Sequence, residues 1–260
     1  MRHAAYNLQC SGTTPVPNIE ISDGSIWDAS VRPSSLNHRG AANMMLNSAL
    51  DNRNISVVNS VLMAECTNYR TTNIELHEVA LKLSTVRIQN SNLSAATSEY
   101  EPVSNVMTTG SSLTMTAVNF IIHDSSLHIT ATAASNGRNV WIAGAATFDN
   151  ITVDIRRSYI VAVGPRVDCI FVGAETGALS HFFSFAVVDS VLDAIYNLYF
   201  ADTNNIIIAA SLDRASVVIA DTSMSVTSGM YSSMRNLYLT SEFNQNSAYA
   251  WRNVDVSVLR

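Results

Sequence analysis

The chain contains a single lysine, Lys82, against fourteen arginines, and only three cysteines, Cys10, Cys66 and Cys169. An odd cysteine count excludes a complete internal disulfide framework. The lack of any CxxC pair excludes the common zinc and redox spacings. The thiols read as small buried or exposed side chains, and the shortage of lysine reads as a compositional bias that marks no site. No apolar run approaches the roughly 18 residues of a membrane-spanning helix. The longest mostly apolar stretch, Val140 to Phe148, has nine residues. Met1 to Pro17 lacks the apolar core of a secretory signal. A net charge of −6 argues against nucleic acid as a partner. No pattern calls for a cofactor or a metal.

What is present is apolar content and a repeat. Hydrophobic residues make up 47% of the 260 residues, and mean hydropathy is +0.14. That is enough to bury a large core and to exclude a disordered chain. One block recurs: apolar, x, apolar, x, Asn/Asp, Ser/Thr, x, apolar. Its copies run over Ile55–Leu62, Val86–Leu93, Phe120–Leu127, Val153–Ile160, Phe185–Leu192 and Val217–Met224. The hydroxyl residues Ser60, Ser91, Ser125, Ser158, Ser190 and Thr222 are 31, 34, 33, 32 and 32 residues apart. Weaker copies start at Ile19 and Val256, and Met45 to Leu50 is an out-of-phase variant.

The block alternates by two, which is strand periodicity. Asn and Asp tolerate the left-handed backbone conformation and suit a tight bend before the hydroxyl. After the bend an inward column stays small: Ala64, Ala95, Ile129, Ala162, Ala194 and Val226. A second apolar strand follows a polar loop, at Ile74–Leu76, Val140–Ile142, Ile170–Val172, Leu198–Phe200 and Leu237–Leu239. Ile206–Ile208 suggests a third strand in some coils. The expected fold is therefore all-β, a right-handed parallel β-helix (solenoid) of about 7–8 coils of roughly 32 residues. Residues 1–260 read as one β-helix segment, with 34–53 as a short helix or an irregular insertion. The last strand runs to Arg260, so we expect a piece of a longer solenoid.

The bend column reads Asp23, Asn59, Asn90, Asp124, Arg157, Asp189, Asp221. Neighbouring coils stack about 4.8 Å apart, so Arg157 is expected to relieve repulsion between Asp124 and Asp189. A row of hydroxyls without a repeated base reads as hydrogen bonding along the stack. His123, Asp124, Ser125 and His128 share the letters of a catalytic triad but lie on one strand–bend–strand. The threonine pairs Thr114/Thr116 and Thr130/Thr132 do not recur coil after coil. Asn54, Asn92 and Asn150 occupy glycosylation sequons that matter only in an exported protein.

The coil pattern resembles the pectate-lyase-like parallel β-helix superfamily. Lyases of that group often carry a Val-Trp-Ile-Asp-His strand. Here Val140-Trp141-Ile142 is followed by Ala143-Gly144, so the acidic and His positions do not carry over. The Gly-His-Gly, Asn-Thr-Asp and Arg-Ile-Lys signatures of polygalacturonases are missing. The phrases Val-Val-Asn-Ser-Val-Leu and Val-Val-Asp-Ser-Val-Leu, with Asn-Ile-Ser and Asn-Ile-Thr leading into strands, are similar to the dispersed gene family surface proteins of kinetoplastids. That likeness covers residues 54 to 226 and implies an exported, membrane-anchored protein with a long, adhesive β-helical ectodomain.

The expected function is a non-enzymatic, surface-exposed solenoid with an adhesive, ligand-binding or spacer role at the cell surface or outside it. Its partner would be a glycan or a surface protein met by loops and strand faces. Tyr159 and Tyr196 are the candidate stacking residues, with Tyr199 a third. The longest loops are expected at Ala95–Ser112, Thr132–Asn139 and Ser228–Asn236. The alternative is a carbohydrate-active β-helix enzyme, a lyase or hydrolase. It would need carboxylates converging within about 5–10 Å, and its pool is Asp154, Asp189, Asp193 and Asp221.

Overall fold

The computed structural model describes residues 3–11, 17–31, 38–67, 70–77, 80–97, 102–110, 113–132, 136–144, 147–174, 179–195, 202–227, 233–240 and 251–260. Every strand pairing among them is parallel, and there is no helix. The chain winds through three sheets in turn, A, then B, then C. The molecule is a parallel β-solenoid.

Sheet A holds eight strands, from His3–Ser11 and His38–Asn47 through Thr71–His77, Val103–Thr109, Asn136–Gly144, Arg166–Ala174 and Thr203–Ala209 to Met234–Thr240. Sheets B and C are the two arms of the repeated block. In the best-formed copies Ala80–Gln89, Thr114–His123 and Thr147–Arg156 lie in B, and Asn92–Thr97, Ser126–Ala131 and Tyr159–Val163 lie in C. Alternate side chains point into one continuous core, including Ile55, Val86, Phe120, Val153, Phe185 and Val217 on B and Leu62, Leu93, Leu127, Ile160 and Leu192 on C.

All seven bend residues, Asp23 through Asp221, have φ between 46° and 58°. Asx residues fill six of these positions because they tolerate this conformation. From Asp23 to Asp221 the chain makes six turns between successive bends. This is slightly fewer than the 7–8 coils expected, because the strands before Asp23 and after Asp221 are not bounded by a further bend of this column. The hydroxyls beside the bends form a ladder. Ser91 Oγ accepts from Ser60 N (3.1 Å), Ser125 Oγ from Ser91 N (3.2 Å), Ser158 Oγ from Ser125 N (3.3 Å) and Ser190 Oγ from Ser158 N (3.2 Å). Each of these four acceptors donates its own proton to the carbonyl two residues earlier.

The 34–53 region is corrected. Its described residues form strands His38–Asn47 and Leu50–Asp51, with Met44, Leu46 and Leu50 fully buried. Their alternation belongs to the corner between sheets A and B, which is why Met45–Leu50 resembles the block out of phase. Ile206–Ile208 is no extra strand. It pairs with Ile170–Val172 and Leu237–Leu239 as the sheet A strand of its coil. All three expected loops also contain sheet A strand residues: Val103–Thr109 within Ala95–Ser112, the start of Asn136–Gly144 within Thr132–Asn139, and the start of Met234–Thr240 within Ser228–Asn236. Leu198–Phe200 lies outside the described residues.

Two features have no counterpart in the block. The first is a second column of left-handed residues that kinks sheet B: Asn52, Leu83, Ala117, Asn150, Phe182, Arg214 and Asn253, with φ from 48° to 56°. Three are asparagines, but Leu83, Ala117, Phe182 and Arg214 have no such preference for this conformation. Backbone hydrogen bonds hold the kink instead, such as Asn52 N to Lys82 O at 2.8 Å and Phe182 N to Asp213 O at 3.1 Å.

The second is an asparagine ladder where the chain leaves sheet C for sheet A. Asn7 Nδ2 donates to Asn43 Oδ1. Asn43 donates to Asn73 (2.5 Å), Asn73 to Asn105 (2.6 Å) and Asn105 to Asn139 (2.6 Å). Each of the last four also donates to a sheet C carbonyl: Met63, Ser94, His128 and Val161. These carbonyls stand beside the small column of Ala64, Ala95, Ile129 and Ala162. The alanines of that column leave room for the amides beside Met63, Ser94 and Val161.

Cys169 breaks the ladder. Its strand neighbours place it between Asn139 and Asn205, and its thiol reaches only Ile160 O at 3.4 Å. Burial pushes that thiol far above its usual pKa. Beyond the break, Asn205 donates to Asn236 at 2.9 Å, while its own Oδ1 is buried without a donor. Cys169→Asn should therefore stabilise the fold by about 1–2 kcal/mol, by restoring an amide to a slot that holds asparagine in the neighbouring coils. Guanidinium denaturation would read this as a higher midpoint. An unchanged or lower midpoint would mean that the break costs nothing.

Candidate functional site

The outer face of sheet A carries polar and aromatic residues in register. One column runs Arg138, Asp168, Asn204, Arg235 across four successive coils. The next runs Met107, Trp141, Phe171, Ile207, Tyr238. Each residue of the first column immediately precedes the ladder position of its strand. The inward amide or thiol therefore fixes where the outward side chain stands.

Arg138 organises the upstream part. Its guanidinium carbon lies 4.4 Å from the Trp141 ring centre and 3.8 Å from that of Phe171, and the two rings meet edge to face. Its Nε donates to Asp168 Oδ2 at 3.1 Å. Asn204 Nδ2 donates to the other oxygen, Oδ1, at 2.9 Å. Asp168 is only 5% exposed. Burial pushes its carboxyl pKa up, against the opposing pull of Arg138 and Asn204.

Downstream, Arg235 lies over Tyr238 at 4.2 Å and faces Asp202 at 3.7 Å. Arg166, exposed, touches Asn136 Oδ1 at 3.4 Å. Together Asn136, Arg138, Arg166, Asp168, Asp202, Asn204, Ile207, Arg235 and Tyr238 line a cleft of about 170 Å³. Asn204 is 2% exposed, and its Oδ1 has no hydrogen-bond donor. The cleft offers guanidinium donors, amide and carboxylate acceptors and an aromatic side chain. Its buried carboxylate is committed to two donors, Arg138 Nε and Asn204 Nδ2.

The residues singled out from the sequence lie elsewhere. Asp154 is on sheet B, hydrogen-bonded with His123 Nε2 (3.1 Å) and Arg156 Nε (2.8 Å). Asp189 and Asp221 occupy consecutive bends. Asp193 is on sheet C, in register with Val161 and Ser225. These four carboxylates thus stand on two sheets and the bend between them, and none lines the sheet A cleft.

Arg157 clamps Asp124 through two bonds of 2.6 and 2.9 Å. That contact lowers the Asp124 pKa, and the Asp189 charge adds to the rise at Arg157. The triad letters do not assemble. His123 pairs with Asp154, and Ser125 Oγ donates to the His123 carbonyl. Tyr159 is 48% exposed on sheet C, beside Ser126 and Val191. Tyr196 and Tyr199 lie outside the described residues. Cys66 and Cys169 are buried free thiols, and the sequon residues Asn54, Asn92 and Asn150 are all exposed.

Among the described residues no group of three or more His, Cys, Asp or Glu is placed to hold a metal ion, and no helix is long and apolar enough to cross a membrane.

The cleft escaped the sequence reading because sheet A was read only from its apolar residues. The signal is present as outward residue–Asn–apolar: Thr72-Asn73-Ile74, Ser104-Asn105-Val106, Arg138-Asn139-Val140, Asn204-Asn205-Ile206 and Arg235-Asn236-Leu237. Set against known protein families, curated proteins and solved structures, the chain matches none, so it is placed by its architecture alone, as a parallel β-solenoid.

Proposed function

We propose that this chain is a non-enzymatic solenoid displayed at a cell surface or outside the cell, where it binds a ligand through the outer face of sheet A. The observation that carries this reading is the sheet A cleft, where aromatic, guanidinium and amide groups from four coils line one concavity. Concave sites with a few convergent polar groups are the usual places for ligands. None of Asp154, Asp189, Asp193 and Asp221 lines this cleft, so the binding reading does not draw on the carboxylates that glycoside cleavage would need. The resemblance to kinetoplastid surface proteins supports an adhesive role, and the likeness to pectate-lyase-like β-helices supports a glycan or a glycosylated surface protein as the partner.

The test is binding of the purified chain to beads coated with a panel of polysaccharides and glycoproteins, with release of sugar products followed in parallel. Arg166→Ala combined with Tyr238→Ala should leave the thermal midpoint within a degree or two and lower bead binding by about tenfold or more. Release of shortened or unsaturated sugars by the wild type would overturn the non-enzymatic reading. Unchanged binding by the double variant would remove the cleft from it.

A further inference from the structure

We infer that the sheet A cleft takes a neutral, hydroxyl-rich ligand, an uncharged saccharide, and not an anionic or cationic one; this rests on the binding role proposed above. The inference starts from Asn204. Its amide nitrogen is committed to Asp168 Oδ1 at 2.9 Å, and its amide oxygen is buried without a donor in a residue that lines the cleft. A buried acceptor left unpaired is costly, and a hydrogen-bond donor from a ligand would relieve it. Arg235 stands next to Asn204 in the following coil. It is held by stacking on Tyr238 at 4.2 Å and by a 3.7 Å contact with Asp202, which is 56% exposed. Both contacts are at the surface, where such pairs are worth little, so a ligand can displace this side chain.

The surrounding charges decide what kind of donor fits. An ammonium group would meet Arg166 and Arg235 at close range. A carboxylate or sulfate has no proton to give Asn204, and it would face Asp202 as well. The Arg138 guanidinium, which could have received an anion, is bonded to Asp168 at 3.1 Å and flanked by two aromatic rings. A hydroxyl group satisfies both sides. It donates to Asn204 Oδ1 or Asp202 and accepts from Arg166 or Arg235. The apolar face of a sugar ring suits Ile207 and Tyr238.

The experiment uses the full chain and titrates it with cellotetraose, maltotetraose and mannotetraose as neutral probes and tetragalacturonate as the acidic one. We expect at least one neutral probe to bind about tenfold more tightly than the acidic one. Asn204→Ala should weaken that binding about fivefold, the worth of one hydrogen bond. Because Asn204→Ala also removes a donor from Asp168, Arg166→Ala serves as a second variant at an exposed position, with a loss of similar size. Preference for tetragalacturonate, abolished by Arg166→Ala, would overturn the ligand class and leave the binding role standing. Binding of none of the four probes by a protein with intact β circular dichroism would overturn the saccharide inference, while retained capture on the glycoprotein beads would preserve the broader role.

Discussion

Replacing Phe183 with alanine should lower the unfolding free energy by about 3–5 kcal/mol, the usual cost of emptying a buried aromatic site. Phe183 is 1% exposed and sits between two other buried rings. Its centroid is 6.0 Å from Phe148 and 6.4 Å from Phe185. Alanine there opens a cavity whose walls are β-strands held by ladders on both sides, so the site cannot readily collapse. The residue just before it provides the control. Phe182 has φ +56°, is 52% exposed, and touches Arg214 at 5.1 Å. Phe182→Ala should therefore change stability by less than about 1 kcal/mol. Equal losses at the two positions, measured by chemical denaturation, would mean that burial between Phe148 and Phe185 gives Phe183 no special weight.

Asn105→Ala should be nearly as damaging, at about 3 kcal/mol or more, although it removes a polar group. Asn105 is fully buried and makes three contacts: it accepts from Asn73 (2.6 Å) and donates to Asn139 Oδ1 (2.6 Å) and to the His128 carbonyl (3.0 Å). Its loss strands acceptors in the interior, and each stranded group costs about 1–3 kcal/mol. Asn73 still keeps its bond to Ser94 O (2.8 Å), which limits the damage on that side. Asn105→Asp should be at least as harmful, because a carboxylate accepts from Asn73 but has nothing to donate to Asn139 or His128. A loss below about 1 kcal/mol for Asn105→Ala would show that the ladder is incidental. Read with Cys169→Asn, it sets the same interaction in both directions, one link removed and one restored.

The bends were legible for a definite reason. A single residue forced to φ near +50° selects Asn or Asp by local energy alone, and the hydroxyl beside it is selected by the partner one coil away. Both demands recur once per coil, so they leave the same letters every 31 to 34 residues. The expectation that Arg157 relieves Asp124 was legible too, since stacking makes sequence neighbours at that spacing into spatial ones. Sheet A was harder to read. Val103–Thr109 reads as loop because Asn105 and Thr108 interrupt its apolar pattern, yet both are fully buried and hydrogen-bonded. A strand whose interior slots are polar looks like a loop to any reading that equates burial with hydrophobicity.

The sequence by itself determined the winding: the period, the bends, the hydroxyl ladder, and the inward and outward faces of sheets B and C. Each follows from a residue's preference for its own backbone conformation or from strict alternation across a strand. Only the tertiary structure decided where the asparagines meet, where sheet B kinks, and which outward residues share a cleft. Those depend on register between coils, set by corner geometry and not by local preference. The kink column shows this most clearly. Leu83, Ala117, Phe182 and Arg214 adopt the same left-handed conformation there as Asn52, Asn150 and Asn253, because hydrogen bonds to the adjacent coil outweigh what those four side chains would choose alone.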